Sequence, residues 1–129
     1  MTVIQKRVKL VGTKGTEDVD VIFDSGSTYS CIRPELANRL EVVLKLPAPI
    51  ELGTAKSGET LKASERVVLD FHLNGLRLSD EFMLIPGLSE SAVIGAATLQ
   101  KWRMKLDFER EDVVVDPKVT KLRLLISRR

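Results

Sequence analysis

Short apolar stretches separated by turn residues fill most of the chain, and this pattern is typical of β-strands. Apolar and basic residues tend to alternate from Val3 to Val11, which predicts a half-buried strand. Residues 12–18 are rich in glycine, threonine and charged side chains and predict a turn. Residues 19–23 predict a strand that leads directly to Asp24, and residues 29–32 predict a short return strand.

Helical signals occur at two places. Pro34 at a first helical position, followed by residues 35–40, predicts a short helix. The apolar residues 92–94 predict a strand, after which Gly95 precedes a second short helical segment at residues 96–102. Two brief helices leave most of the chain to strands.

A long hairpin is predicted in the middle of the chain. Residues 41–46 are β-like, and Pro47-Ala48-Pro49 interrupts them. Residues 50–52 and 59–63 then flank a tip at residues 53–58, which contains glycine and almost no apolar side chain. Because so little of this tip is available for burial, we expect the arm to project from the domain and to move.

Further hairpins complete the pattern. Asn74-Gly75, between residues 67–73 and a strand that starts at Leu76, is the strongest short-range hairpin signal in the chain. The charged residues 109–112 predict the turn of a third hairpin, which ends at Asp116-Pro117. The other predicted strands are residues 82–85, 104–108, 113–115 and 121–126. Many short strands with two short helices predict an all-β, barrel-like or sandwich domain.

Composition narrows the class of protein. The 129 residues suffice for one domain with a single core, and a net charge of +2 is too small to indicate nucleic acid or a membrane surface as a partner. The first residues are too polar for a signal peptide, and no apolar run approaches the roughly 20 residues that span a bilayer. We therefore expect a cytoplasmic protein or a soluble domain of a larger precursor.

The single cysteine and the single histidine limit the available chemistry. Cys31 has no partner for an internal disulfide, and Cys31 with His72 is too small a set for a His/Cys metal cluster. Cys31 lies in an apolar segment and is predicted to be a small buried hydrophobe rather than a catalytic thiol. His72 is predicted to face outward from a strand.

Asp24 is the strongest candidate for chemistry. It follows an apolar strand and precedes Ser25, Gly26 and Ser27, so that hydroxyl groups and backbone N–H groups flank its carboxylate on a tight turn. An Asp/Ser/Gly cluster is also ordinary turn chemistry, and Asp24 as a structural turn residue remains an alternative.

An ordered set of motifs resembles the retropepsin-like aspartic proteases, the single-domain relatives of pepsin. The set comprises Asp24-Ser25-Gly26-Ser27 after an apolar strand, the projecting hairpin at residues 50–63, and Val93-Ile94-Gly95 before a short helix. The resemblance covers about residues 20–115. It implies an all-β closed barrel with one or two short helices, one domain over residues 1–129 with a core at about 19–116, and endopeptidase activity without a metal or cofactor.

The resemblance also implies roles for individual residues. Asp24 is the catalytic acid and base, and Ser25 braces the active-site loop by hydrogen bonding across a dimer axis. The Gly26 N–H and the Ser27 hydroxyl hold the carboxylate. Two further groups complete the implied site. They are the flap over bound peptide, Thr54, Ala55, Lys56, Ser57 and Gly58, and the support beneath the loop, Ile94 and Gly95.

Peptide hydrolysis by carboxylates requires two acids, one ionised to deprotonate a water and one protonated to donate to the scissile carbonyl. None of the other aspartates is followed by Ser-Gly or Thr-Gly. The resemblance therefore implies that the second acid is Asp24 of another copy, in a symmetric homodimer. Val3 to Val11 and residues 122–126 are the candidate strands for its interface.

Two questions remain open at this stage. A retropepsin-fold module that no longer cleaves, and serves in dimerisation or peptide binding, is the alternative to a protease. The substrate is expected to be a peptide or protein with apolar side chains around the scissile bond, because Ile32, Ile50, Leu52 and Ile94 are candidates to line the cleft.

Overall fold

A computed structural model describes residues 3–53 and 60–121 of the chain. The predicted flap residues 54–58 and all but the first residue of the predicted strand 121–126 lie outside this part.

Strands account for most of the described chain. In chain order they are β1 (Val3–Val11), β2 (Thr16–Asp24), β3 (Cys31–Ile32), β4 (Leu44–Gly53), β5 (Thr60–Leu73), β6 (Leu76–Leu84), β7 (Ala92–Ile94), β8 (Lys105–Asp107) and β9 (Asp112–Val114). The helices are α1 (Pro34–Leu40), α2 (Ala96–Lys101) and a 3-10 turn at Pro117–Thr120.

Six strands close into a barrel. Their order is β1-β2-β7-β3-β6-β5, and β5 pairs back onto β1, with Leu10 opposite Phe71. Closure leaves none of these six strands as an open edge along its full length. The all-β closed barrel with short helices that the resemblance implied is confirmed.

The barrel interior is filled by large apolar side chains. Phe23, Phe71 and Phe82 are fully buried, and the rings of Phe71 and Phe82 meet edge to face with centroids 6.3 Å apart. Helix α1 adds Leu36 and Leu40 to the same core.

The central arm consists of the antiparallel strands β4 and β5, whose pairing is irregular between Lys45 and Ile50. β4 pairs with β5, with Ile50 opposite Ala63 and Leu52 opposite Leu61, as the hairpin pattern predicted. The prediction that Pro47-Ala48-Pro49 interrupts the strand is wrong for the extended backbone, although the pairing with β5 is irregular at these residues. β4 runs through these residues, and the register of the pair shifts between Lys45 and Ile50. Since proline donates no backbone hydrogen bond, a local irregularity on a strand without a second neighbour accommodates it.

Turn chemistry was predicted more accurately than strand ends. Asn74 and Gly75 both have positive φ, 51° and 78°, and join β5 to β6 as predicted. β2, in contrast, begins at Thr16 rather than at residue 19, because polar residues at its start pair with β1; Glu17 lies opposite Leu10.

Candidate active site

Asp24 is the last residue of β2 and lies where the chain leaves the barrel wall. Phe23 is fully buried in the core and pairs in parallel with Ile94 of β7. Because successive side chains of a strand point to opposite faces, the Asp24 carboxylate points away from the core, and Asp24 is partly exposed.

The backbone after Asp24 folds around its carboxylate. The Gly26 N–H donates a hydrogen bond of 2.8 Å to Asp24 Oδ1, and the Ser27 N–H donates one of 3.2 Å to the Asp24 carbonyl. A Cβ at position 26 would lie 3.2 Å from Oδ1, tighter than most contacts of that kind. Glycine therefore lets the backbone approach the acid and orient it.

The hydroxyl groups of this loop differ from what the resemblance implied. Ser27 Oγ donates to the Tyr29 carbonyl at 2.8 Å and does not hold the Asp24 carboxylate. The turn at Gly26 directs the Ser27 side chain onward along the loop, where it braces the chain instead. Ser25 is exposed, so its hydroxyl is available to a partner.

Gly95 lies directly beneath the loop. A Cβ at this position would be 2.5 Å from the carbonyl oxygens of both Ser27 and Tyr29, closer than any side chain allows. The first N–H groups of α2 continue the contact: Ala96 donates to the Ser27 carbonyl and Ala97 to the Thr28 carbonyl. Loop carbonyls thus satisfy helix N–H groups that have no partner within the helix.

A buried pair of hydroxyl groups supports this arrangement, and sequence reasoning missed it. Ser30 and Thr98 are the only buried polar residues in the described part of the chain, exposed by 4% and 2%. Their oxygens lie 2.6 Å apart, and Ser30 Oγ also accepts the Gly95 N–H at 3.0 Å. The sequence feature that could have indicated this pair is the presence of one hydroxyl residue, Ser30 or Thr98, within each of two apolar stretches.

A second apolar cluster, which we call the arm cluster, lies outside the barrel core and joins the arm to β3, β6 and β7. Its buried members are Cys31, Ala63, Met83 and Ile85, and its partly buried members are Tyr29, Leu46, Ile50, Leu52, Leu61, Leu88 and Val93. In the parallel β2–β7 register Val93 lies opposite Ile22, two residues before Asp24. By alternation, Val93 and Asp24 therefore share a face.

The expectation for the cleft lining is wrong for the two barrel residues and stays a prediction for the two arm residues. Ile50 and Leu52 belong to the arm cluster and are partly exposed. Ile32 and Ile94 are 0% exposed in the barrel core and cannot contact a peptide. Their neighbours Cys31 and Val93 face the arm instead, because a shift of one residue along a strand reverses the face.

Most of the other aspartates in the described chain form ion pairs with basic residues. Salt bridges tie Asp20 to Arg7, Asp70 to Arg77, Asp80 to Lys101, Asp107 to Arg110 and Asp112 to Lys6. Within residues 3–53 and 60–121, Asp24 forms no salt bridge, and no group of three or more metal-ligating side chains occurs.

Cys31 is buried, as the sequence predicted, and burial raises the pKa of its thiol to about 11. At neutral pH the group is therefore a thiol and a poor nucleophile. His72 is exposed on β5, opposite Arg77. The two residues do not form a catalytic pair.

No helix within the described ranges is both long and apolar enough to cross a membrane.

A protein-family model matches nearly the whole chain. The model for the Ty3 transposon peptidase matches residues 2–119. No curated protein matches the chain.

Solved structures share the fold. The retroviral protease-like domain of Ddi1 from Leishmania major superposes with a TM-score of 0.63 at 19% identity, over 90% of each chain. The EIAV protease, solved in complex with the inhibitor HBY-793, gives a TM-score of 0.55 at 16% identity, over 80% of this chain and 90% of that one.

Proposed function

Because the chain belongs to the Ty3 transposon peptidase family and has the retropepsin-like fold, we propose that it is an aspartic endopeptidase that acts as a homodimer. One observation carries the proposal. Asp24 is a partly exposed carboxylate at the end of a buried strand, and its Oδ1 is oriented by the Gly26 N–H at 2.8 Å.

The chemistry requires a second carboxylate close to the first. Two carboxyl groups about 3 Å apart cannot both ionise, so the pair shares one proton. The ionised acid takes a proton from water as the water oxygen attacks the scissile carbonyl carbon, and the protonated acid donates its proton to the carbonyl oxygen. Collapse of the tetrahedral gem-diol then breaks the C–N bond: the now protonated carboxyl gives its proton to the leaving amine, and the now ionised carboxylate takes a proton from a gem-diol hydroxyl, which restores the pair.

The second carboxylate is proposed to be Asp24 of another copy. The described chain provides no Ser-Gly or Thr-Gly context for any other aspartate, and five of its aspartates other than Asp24 form salt bridges with basic residues. A two-fold axis between the two Asp24 loops supplies both acids in equivalent positions. Exposed Ser25 beside the axis provides a hydroxyl for a contact between the loops.

The substrate is proposed to be an extended peptide with apolar side chains near the scissile bond. Support comes from the arm cluster, in which partly exposed Ile50, Leu52 and Val93 form an apolar surface on the face that Asp24 shares. Residues 54–58, at the end of the arm, are proposed to close over the peptide and exclude water.

The test is a digest of a denatured protein from acidic to neutral pH, with products read by mass spectrometry. Asp24→Asn is the inactive variant, and Asp20→Asn is the matched control. Asp20 lies on the same strand, is 56% exposed at its side chain, and has Arg7 at 3.4 Å as its ion-pair partner among the described residues. We expect cleavage by the wild type and Asp20→Asn and none by Asp24→Asn.

Two results oppose the proposal. Persistent cleavage by folded Asp24→Asn would exclude Asp24 as the catalytic acid. A folded, dimeric wild type that cleaves nothing at any pH would assign the chain instead to a silent dimerisation or peptide-binding module.

A further inference from the structure

We propose that Arg33 positions the loop at residues 85–91, which we call the wall loop, against the peptide and so determines how tightly the substrate is held. The inference deepens the proposed function and rests on it. Arg33 acts on the substrate only through this loop, so it is a positioning residue and not a catalytic one.

The wall loop crosses the end of β3. It connects β6 to β7, and β3 lies between these two strands in the sheet. Ile32, the last residue of β3, pairs with Leu84 on one side and with Ala92 on the other. The next residue, Arg33, therefore lies against the loop.

The guanidinium of Arg33 binds the backbone of the wall loop. Arg33 Nε donates to the Leu88 carbonyl at 3.0 Å, and Nη2 donates to the Ser89 carbonyl. The Arg33 backbone N–H donates to the Ser91 carbonyl at 3.1 Å. In the described part of the chain Arg33 forms no salt bridge. Its planar fork thus binds two successive carbonyls, which the single ammonium of a lysine does not reproduce.

The turn within the wall loop does not attach the loop to the barrel. Pro86 and Gly87 form this turn, and the Leu88 N–H closes it by donating to the Ile85 carbonyl at 3.1 Å. Gly87 has a φ of 82°, as the third residue of such a turn requires. Among the described residues, Arg33 is the only one whose side chain hydrogen-bonds to the loop backbone.

Leu88 connects the wall loop to the apolar surface on which the substrate is proposed to lie. It is a partly buried member of the arm cluster, together with Ile50, Leu52 and Val93. Its carbonyl accepts from Arg33, so a loop released from the guanidinium displaces the Leu88 side chain as well. A contact that is lost equally from bound substrate and transition state weakens binding without slowing the chemical step.

The test measures kcat and KM with a peptide that the digest identifies as a substrate. Arg33→Met removes the guanidinium and keeps a long apolar side chain, whereas Arg33→Lys keeps the charge. Arg39→Met is the matched control, because Arg39 is exposed on α1 and also donates from two guanidinium nitrogens, to the Glu17 carboxylate at 2.7 and 3.0 Å.

We expect Arg33→Met to raise KM about ten-fold and to change kcat by less than about two-fold. The KM of Arg33→Lys is expected to lie between those of Arg33→Met and the wild type. Arg39→Met should stay within about two-fold of the wild type in both constants. Thermal melts establish that each variant is folded, and Arg33→Gln, with the same expected direction, replaces an Arg33→Met that is not.

Two further measurements test whether the effect passes through the loop. Leu88→Ala should itself raise KM, and the addition of Arg33→Met to Leu88→Ala should change KM by less than about two-fold, because both substitutions remove the same contact. Hydrogen exchange of the amides at residues 85–91, read by mass spectrometry, should be faster in Arg33→Met than in the wild type, and this measurement needs no cleavage.

An unchanged KM for Arg33→Met would overturn the inference, and so would unchanged exchange in the wall loop or an equal rise in KM for Arg39→Met. A fall in kcat at constant KM would also overturn it, because Arg33 would then act on the chemical step. The wild type in the same assay separates these failures from failure of the proposed function. If the wild type cleaves and Arg33→Met behaves like it, only the role of Arg33 is lost, whereas a wild type that cleaves nothing in the digest excludes both.

Discussion

Ser30 and Thr98 share a hydrogen bond of 2.6 Å, although 68 positions separate them in the chain. Ser30 also accepts the N–H of Gly95, whose missing side chain makes room for the loop that carries Asp24. The pair therefore joins the residue before β3, α2 and the support of the Asp24 loop through one buried polar contact.

Loss of one hydroxyl should leave the other without a partner in the core. Ser30→Ala is expected to lower the free energy of unfolding by about 1–3 kcal/mol, since it orphans both Thr98 Oγ1 and the Gly95 N–H. Thr98→Val is expected to have a smaller effect, because Ser30 keeps the Gly95 N–H. Urea denaturation of both single variants and the double variant tests the coupling. If the losses in the free energy of unfolding of the two single variants sum to the loss of the double variant, the hydroxyl groups act independently.

A methyl group at Gly95 should displace the Asp24 loop. Gly95→Ala places Cβ 2.5 Å from two loop carbonyls and is expected to lower the cleavage rate per folded molecule about 10-fold or more. Gly12→Ala is the control: its Cβ would lie 1.9 Å from the Leu40 carbonyl, at the far end of the β1–β2 hairpin. It should lower stability and leave the rate per folded molecule unchanged. Equal rate losses in both variants would contradict a specific role for Gly95.

Cys31 should be chemically inert in the folded protein. Burial raises the pKa of its thiol to about 11, so alkylation at pH 8 is expected to be slow in native protein and rapid after unfolding. Cys31→Ala should retain cleavage. Mass spectrometry after timed treatment with iodoacetamide measures the modification, and rapid labelling of native protein together with loss of activity would indicate thiol chemistry instead.

The Lys6–Asp112 pair links β1 to the β8–β9 hairpin and should make stability depend on acid pH. Lys6 donates to Asp112 Oδ1 at 2.6 Å and holds the pKa of that carboxyl below its ordinary value of 3.8. The unfolded chain therefore binds a proton more readily than the folded one. Stability from the pair is fully present above pH 3.8 and is lost as the pH falls through the lowered folded value.

Asp112→Asn should accordingly lower the Tm by about 1–3 °C at pH 7, a small effect because the pair is partly exposed. The difference from the wild type should shrink as the pH falls below 3.8. Calorimetry at several pH values measures it, with Asp20→Asn as the control for an exposed, longer ion pair. If the Tm difference between Asp112→Asn and the wild type is the same at pH 2 as at pH 7, the substitution acts through packing and not through the ion pair.

Local chemistry made part of this fold predictable. The apolar strand before Asp24, the Asn74-Gly75 turn and the proline that begins α1 each act through neighbouring residues, and the structure has all three as predicted. The start of β2 was not predictable, because pairing with β1 overrode the local signal. Nor was the continuity of β4 through Pro47, where the chain stays extended although its pairing with β5 is irregular between Lys45 and Ile50.

The site was predictable to a similar extent. The sequence indicated that the Gly26 N–H would hold the Asp24 carboxylate and that Gly95 would lie beneath the loop, and the structure has both contacts. It did not indicate that Ser27 would donate to Tyr29, or that Ser30 would meet Thr98. Those contacts depend on how distant segments fold together, and a pattern along one chain does not specify them.

The central claim is that one Asp24 from each of two copies forms the catalytic pair. The most direct measurement mixes a fixed amount of wild type with increasing Asp24→Asn, allows subunits to exchange, and follows the initial rate of peptide cleavage. If both acids are required, a nine-fold excess of the variant leaves only about a tenth of the wild-type subunits paired with one another, so the rate falls to about a tenth. A rate that stays constant per wild-type molecule would contradict the account, because it would show that a single Asp24 suffices.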